Sequence, residues 1–448
     1  MDKEKIVYIV HCVDTEGPLY ESPEVPFSQI KKIFGIDIEP TRENFNKLMN
    51  HEIDLNGQED AVYNLIDPHK AAINGDWDEL KKYLEGATSQ EFRNKLPDSN
   101  GNGWIYNWFC LDHVGFTGEN PRRRDPGYHK VFDVYKEMVE KQKLGDMIQL
   151  HHHPVSHSGD YHACGTAFWG RDTLDGILTR RIIDRNWFPS AYRPGFHTER
   201  PDSNWFLEQW IPFDYANQSV KGIDTDQPDL AGGRFGDWRF APLSWIPYHP
   251  DHDDYQKEGN SRRWIARCLN MYARLREITP SDVEDAFAEA DQNGTSILSF
   301  TDHDFKDMCF DVDRMRELIA KASKKYPDVK FVYSNAVDAM RNCCNIKVED
   351  IGMTCVLEKE KEIKLVVKTK NNIFGPQPYL AMKTKDNKYI WDNFDFQRNN
   401  EWSYTFDRDS ITFDKIVVIG IAANNNCGKT EVCKYQVEDD AWEKVILN

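Results

Sequence analysis

Lys5-Ile6-Val7-Tyr8-Ile9-Val10-His11-Cys12-Val13-Asp14-Thr15-Glu16-Gly17 is the stretch from which the fold is read. Up to Val13 it is mostly apolar and β-branched, and then it breaks abruptly into acids and a glycine. A short apolar run bounded in this way predicts a strand buried on both faces. Strands buried on both faces belong to parallel sheets covered by helices. Acidic side chains delivered at the C-terminal end of such a strand lie where α/β folds assemble their sites.

Downstream, segments of the two periodicities alternate. Strands are expected at Trp104–Leu111, Met147–Leu150, near Ala191, Ser296–Thr301 and Val329–Tyr333. Helices are expected at Tyr128–Lys141, Arg171–Arg185, Ser203–Trp210, Ser261–Ile278, Pro280–Ala290 and Asp313–Ser323, with a short one ending at Arg341. That alternation predicts an α/β fold with a mainly parallel sheet, open or closed into a barrel. Between the first two strands, residues 21–100 are polar and punctuated by proline, with helical stretches at Glu59–Ile73 and Asp76–Glu85, which predicts a helical insertion shaping the substrate side. Beyond Cys343 the helical period disappears. EIKLVVKTK, ITFDKIVVIGIA and CKYQVED read as strands between Asn, Gly and Pro turns, so residues 343–448 are expected to form an all-β, sandwich-like domain after a first domain of residues 1–342.

The bulk numbers fit this division. A chain of 448 residues exceeds the size at which one core usually keeps growing. Hydrophobic and charged fractions of 40% and 29% are those of a folded, water-soluble chain rather than a disordered or membrane-inserted one. A net charge of −18, with Arg122-Arg123-Arg124 the one basic run, argues against nucleic acid as a partner. The N terminus lacks a cleavage site and reads as a strand rather than a secretory signal. Ten cysteines, scattered and without a CxxC, read as reduced thiols. A cytoplasmic location without membrane insertion is the expectation.

Chemistry concentrates in His151-His152-His153-Pro154-Val155-Ser156-His157. With 14 histidines in 448 residues a random seven-residue window holds about 0.2, whereas this one holds four. His151 and His153, two apart at a strand end, share one side; His153 and His157, four apart, share a face if the segment turns helical. Either pair can bind a divalent metal, and imidazole suits zinc, cobalt, nickel or iron. Asp14 and Glu16 supply a carboxylate ligand and a second carboxylate able to take a proton from water. Arg193, in Ala191-Tyr192-Arg193-Pro194-Gly195-Phe196, is placed to hold a buried carboxylate ionised. His303, in Ser299-Phe300-Thr301-Asp302-His303-Asp304, is flanked by acids that would raise its pKa. The aromatic pair Phe168-Trp169, with Trp205, Trp238 and Trp245, could stack on sugar rings, although most tryptophans are core. The run Tyr248-His249-Pro250-Asp251-His252-Asp253-Asp254 reads as a solvated turn rather than a second metal site.

Taken in order, these segments resemble the motifs of the polysaccharide deacetylases, carbohydrate esterase family 4, over residues 5–341. The resemblance implies a distorted (β/α) barrel and metal-dependent removal of an N-acetyl group from a carbohydrate. By that resemblance Asp14 is the base, Glu16 and two of His151, His153 and His157 bind a divalent metal such as zinc, Arg193 orients the base and His303 is the acid. Asp237-Trp238 is similar to the family's acidic-aromatic segment beside the substrate. The chain departs from the common first motif, whose aspartates are adjacent, since Thr15 intervenes and the second acid is glutamate. A soluble precursor of a surface polysaccharide is the expected substrate. The alternatives are another amidohydrolase acting on non-peptide carbon–nitrogen bonds, and a non-catalytic carbohydrate-binding protein. The C-terminal domain either braces the barrel or makes a homo-oligomer contact.

Overall fold

The computed structural model describes residues 4–19, 24–111, 129–154, 173–222, 236–272 and 277–448. Seven parallel strands form a closed ring: β1 (Lys5–Thr15), β2 (Tyr106–Leu111), β3 (Met147–His152), β4 (Ala191–Pro194), β5 (Phe213–Asn217), β6 (Trp264–Asn270) and β7 (Thr295–His303), with β7 pairing back to β1. Closure depends on how β1 divides one of its edges. Residues 5–9 pair with β8 (Val329–Tyr333), residues 11–15 pair with β2, and the opposite edge runs beside β7 from Ile6 to Asp14. β1 is buried from Val7 to Thr15, as its unbroken apolar run requires of a strand with the barrel interior on one face and helices on the other.

Between β1 and β2 lie α1 (Glu24–Phe34), α2 (Arg42–Met49), α3 (Glu59–Ile66), α4 (Trp77–Ala87) and α5 (Gln90–Arg93). The first three bury Phe27, Ile30, Leu48, Val62 and Leu65 in a small core of their own. α4 begins where the Asp76 side chain caps the N–H groups of Asp78 and Glu79, and with α5 it inserts Leu80, Leu84 and Phe92 into the main core. The helix expected over Glu59–Ile73 stops at Ile66, because Pro68 disfavours the helical conformation at Asp67. The outer helices α6 (Lys130–Gln142), α7 (Thr173–Arg185), α8 (Pro201–Trp210), α9 (Pro280–Asn293), α10 (Met308–Lys325) and α11 (Ala336–Cys343) follow β2, β3, β4, β6, β7 and β8.

One expected helix is corrected. Residues 264–270 of the stretch read as a helix over Ser261–Ile278 are strand β6, bonded to β5 and β7. Its Ala, Arg and Leu content favours a helix locally. Alternate side chains nevertheless enter different clusters: Ala266 and Cys268 pack with Tyr215, while Leu269 joins the main core. Filling the gap between β5 and β7 outweighs local propensity.

The C-terminal strands are β9 (Thr354–Lys359), β10 (Ile363–Lys368), β11 (Tyr379–Thr384), β12 (Tyr389–Asp392), β13 (Asp395–Arg398), β14 (Glu401–Phe406), β15 (Ile416–Asn424), β16 (Thr430–Gln436) and β17 (Ala441–Leu447). They form two antiparallel sheets, ordered β13-β14-β10-β9 and β12-β11-β15-β16-β17. Leu365, Val367, Trp402 and Tyr404 of the first meet Leu380, Met382, Ile419 and Ile421 of the second in one core. The alternate residues Tyr379, Ala381, Ala422 and Val432 face the other way and join the barrel's core. A Cβ on Gly420 would overlap the Ile182 side chain of α7, so the absent side chain sets how closely helix and sheet approach. No described helix is long and apolar enough to cross a membrane.

Candidate metal centre

The C-terminal ends of β1, β3, β4 and β7 meet at one mouth of the barrel. Strand register places Asp14 beside His303 and His151 beside Arg193. Glu16 follows the last residue of β1, and His153 follows the last residue of β3. Among the described residues, Glu16, His151 and His153 form the one group of three whose ligand atoms lie within 4.8 Å of one another.

Their separations suit a single ion. His151 Nε2 is 3.0 Å from His153 Nε2, and Glu16 Oε1 stands 3.2 Å from His153 Nε2 and 3.8 Å from His151 Nε2. Donors about 2.0–2.1 Å from a tetrahedral centre lie about 3.3 Å apart, which is the spacing of this trio. The tautomer of His151 also fits. Its Nδ1 is 3.0 Å from the Arg193 carbonyl, which can only accept, so Nδ1 carries the proton and Nε2 presents its lone pair to the others. Two nitrogens and a carboxylate oxygen leave a fourth position for water or substrate.

Asp14 lies beside this trio and is held differently. The Arg193 guanidinium grips it with two hydrogen bonds, Nε to Oδ1 at 2.7 Å and Nη2 to Oδ2 at 3.0 Å, and the Thr301 hydroxyl donates to Oδ2 at 3.2 Å. Arg193 is fixed in turn by the Tyr215 carbonyl and by Cys268 Sγ. Burial opposes ionisation of Asp14, but the Arg193 guanidinium, by its charge and its hydrogen bonds, outweighs it and holds the carboxyl far below its ordinary range. The arginine pair thus favours the ionised form of Asp14.

His303 completes the group, with Nε2 4.0 Å from Glu16 Oε1. The expectation that its neighbouring acids raise its pKa is corrected. Glu16 and Asp14 do act in that direction, yet the protein packed around the ring disfavours the cation more, and the net shift is downward. The side chain still keeps 32% of its surface exposed. Next in the chain, Asp304 is pushed up to about 7, by burial foremost and also by Glu16, against hydrogen bonds that favour its ionised form.

The turn after β4 shapes the histidine side of the site. Phe196 and His197 adopt left-handed backbone, with φ of 52° and 49°, an arrangement that costs roughly 1–3 kcal/mol per residue and persists where surroundings impose it. Here the Gly236 N–H bonds the Phe196 carbonyl at 3.1 Å, and Trp238 Nε1 bonds the His197 carbonyl at 2.8 Å. The Phe196 ring then meets His153 edge on, their centroids 5.0 Å apart.

This placement corrects the reading of Trp238 as a sugar-stacking surface. The indole is buried, packs against Tyr255 and has no open face. Asp237 pairs with Arg239 at 2.9 Å and lies outside the ligand trio. His157, Phe168 and Trp169 lie outside the described residues. In the turn beginning at Tyr248, His249 Nδ1 meets the Arg263 carbonyl and His252 Nδ1 meets Glu208, with no convergence on a shared point. Phe196 and Thr301 carry no local mark of a site role in the sequence; their contacts with His153 and Asp14 come from the fold. No protein-family model matches the sequence, and no curated protein matches it.

Proposed function

We propose that this chain is a metal-dependent hydrolase that removes an N-acetyl group from a carbohydrate, on a barrel of the polysaccharide deacetylase type. The observation that carries the reading is the convergence of Glu16, His151 and His153 with a separate, arginine-held carboxylate and His303. The motif order supports the sugar amide as substrate class, and the nitrogen-rich donor set favours zinc. When bound, such a metal supplies a lowered water pKa and polarises a carbonyl. The protein's own groups do the rest. Asp14 accepts a proton from the attacking water, and Arg193 holds its oxygens in place while that proton arrives. His303, next to Asp14 in the strand register and partly exposed, takes up a proton from solvent and gives it to the leaving amine nitrogen as the C–N bond breaks. A soluble sugar precursor in the cytoplasm remains the proposed setting.

The test is acetate release from a panel of N-acetylated mono- and oligosaccharides, by zinc-loaded protein and its Asp14→Asn and Glu16→Ala variants. Asp14→Asn should retain zinc and lose at least about 100-fold in rate, the lower range for a positioned general base. Glu16→Ala should lose zinc and activity together. Ammonia in place of acetate, from nitrogen heterocycles, would identify a different amidohydrolase. Sugar affinity without bound metal or turnover would identify a binding protein.

A further inference from the structure

Glu16 is the ligand that most needs help to stay in place. It lies past the last residue of β1, and its side chain has one more rotatable bond than an aspartate would. Its backbone is held from another strand. Asp304, the residue after His303, is fully buried. Its Oδ1 accepts the Glu16 N–H at 2.9 Å, and its Oδ2 accepts the Gly17 N–H at 2.8 Å.

Two successive N–H groups thus point at one carboxylate, a concave amide pair of the kind that binds anions elsewhere, and Gly17 then takes left-handed backbone, φ 76°. A side chain at Gly17 would also meet the Trp77 ring at 3.0 Å. The carboxylate is anchored from behind. Tyr135 of α6 donates its hydroxyl to Oδ2 at 2.7 Å, and Asn74 of the insertion donates to the Asp304 carbonyl at 3.2 Å. Both carboxylate oxygens face these donors, so Asp304 is not a fourth ligand.

We infer that Asp304 is a positioning residue of the metal centre: anchored by Tyr135, its carboxylate clamps the Glu16-Gly17 backbone and so sets where the Glu16 carboxylate stands relative to His151 and His153. The inference rests on reading Glu16 as a metal ligand. It also ties that ligand to His303, since neighbouring residues of one strand end place both.

Zinc affinity measured by competition with a chromophoric chelator, and the visible spectrum of the cobalt-substituted protein, test this without recourse to turnover. Asp304→Asn should weaken zinc binding about 10- to 100-fold, the usual cost of losing a group that orients a ligand, and should alter the cobalt absorption bands. Tyr135→Phe, which keeps the carboxylate and removes one anchor, should move both readouts the same way by less, and it decides the matter if Asp304→Asn does not fold. Parental zinc affinity and cobalt spectra in the folded variants would overturn the inference, even with a lowered melting temperature, because Asp304 would then support only the fold. Failure of the parent protein itself to bind either metal would overturn the reading of Glu16 on which the inference stands.

Discussion

Gly195 is where a single missing side chain is most consequential, because a Cβ there would overlap the His153 imidazole. The ring cannot retreat freely, since Phe196 packs against it in a T-shaped contact and His151 and Glu16 crowd Nε2. Gly195→Ala should therefore displace a ligand while leaving the barrel folded. The expected result is zinc affinity lowered by about tenfold or more, comparable with other losses of ligand orientation, with the metal-free melting curve shifted by no more than the about 1–3 kcal/mol typical of overpacking. An unchanged affinity would mean that His153 is not held where the ligand trio requires it. His11 makes a second prediction at this scale, one concerning pH. Its ring lies among Trp104, Tyr106 and Phe300, and its Nδ1 accepts from Trp104 Nε1 at 2.9 Å. Burial lowers its pKa to about 4, whereas the unfolded chain titrates near 6.5. The unfolded state thus binds the extra proton first. This contribution is whole above pH 6.5 and is lost as pH falls toward 4, by up to about 3 kcal/mol at 1.36 kcal/mol per unit. Denaturant titrations of metal-free protein should show a steeper loss between pH 6.5 and 4 in the parent than in His11→Gln, which cannot titrate. Equal slopes would locate the acid-sensitive proton elsewhere.

Among the elements, those that carry a local signal were the legible ones. β1 announces itself by an apolar run that ends at Asp14, and β8 was read with its observed bounds because Val329–Tyr333 alternates between a glycine-free turn and a capped helix. That Asp14, Glu16, Arg193 and His303 would be brought together was legible for the same reason, as polar groups placed at or just past strand ends. What escaped depends on partners distant in sequence. β5 is five residues long and contains an aspartate and an asparagine, so nothing local marks it as a strand. β6 carries helix-forming residues and becomes a strand only because β5 and β7 lie on either side of it. The division of β1's edge between β8 and β2 leaves no trace in β1 itself. The histidine register was open because spacing alone fits two geometries, and only the meeting of two strand ends, those of β1 and β3, brings His151 and His153 to Glu16. Asp304 shows the limit most sharply: it reads as one more acid beside a histidine until the chain returns across 288 residues to bring it to Glu16.

At the scale of the whole molecule, the question is whether barrel and C-terminal sheets unfold as one. The sequence divides them at Cys343, but the packing does not. Leu178, Ile182 and Ile183 of α7 share one apolar cluster with Tyr379, Ala381, Ala422 and Val432 of the five-stranded sheet. Directed bonds cross the same surface: Tyr379 donates to the Asp175 carbonyl at 3.0 Å, Tyr389 bonds the Asp184 carboxylate at 2.9 Å, and Asn424 Nδ2 reaches the carbonyls of Pro189 and Trp210 at 2.7 and 2.8 Å. An isolated barrel would have to expose those aliphatic residues, each worth about 1.5–3 kcal/mol when buried, and the sheet would lose cover from one of its two apolar faces. The combined penalty is comparable to the whole stability of an ordinary domain. Metal-free protein should therefore melt in one calorimetric transition, with van't Hoff and calorimetric enthalpies in agreement. Gly420→Ala supplies the discriminating arm, because its Cβ would collide with Ile182 across this interface. In a single cooperative unit the entire transition should shift down by about 1–3 kcal/mol without splitting. Two resolved transitions, with only one moved by Gly420→Ala, would show that the sheets are an independent unit docked on a barrel that folds without them.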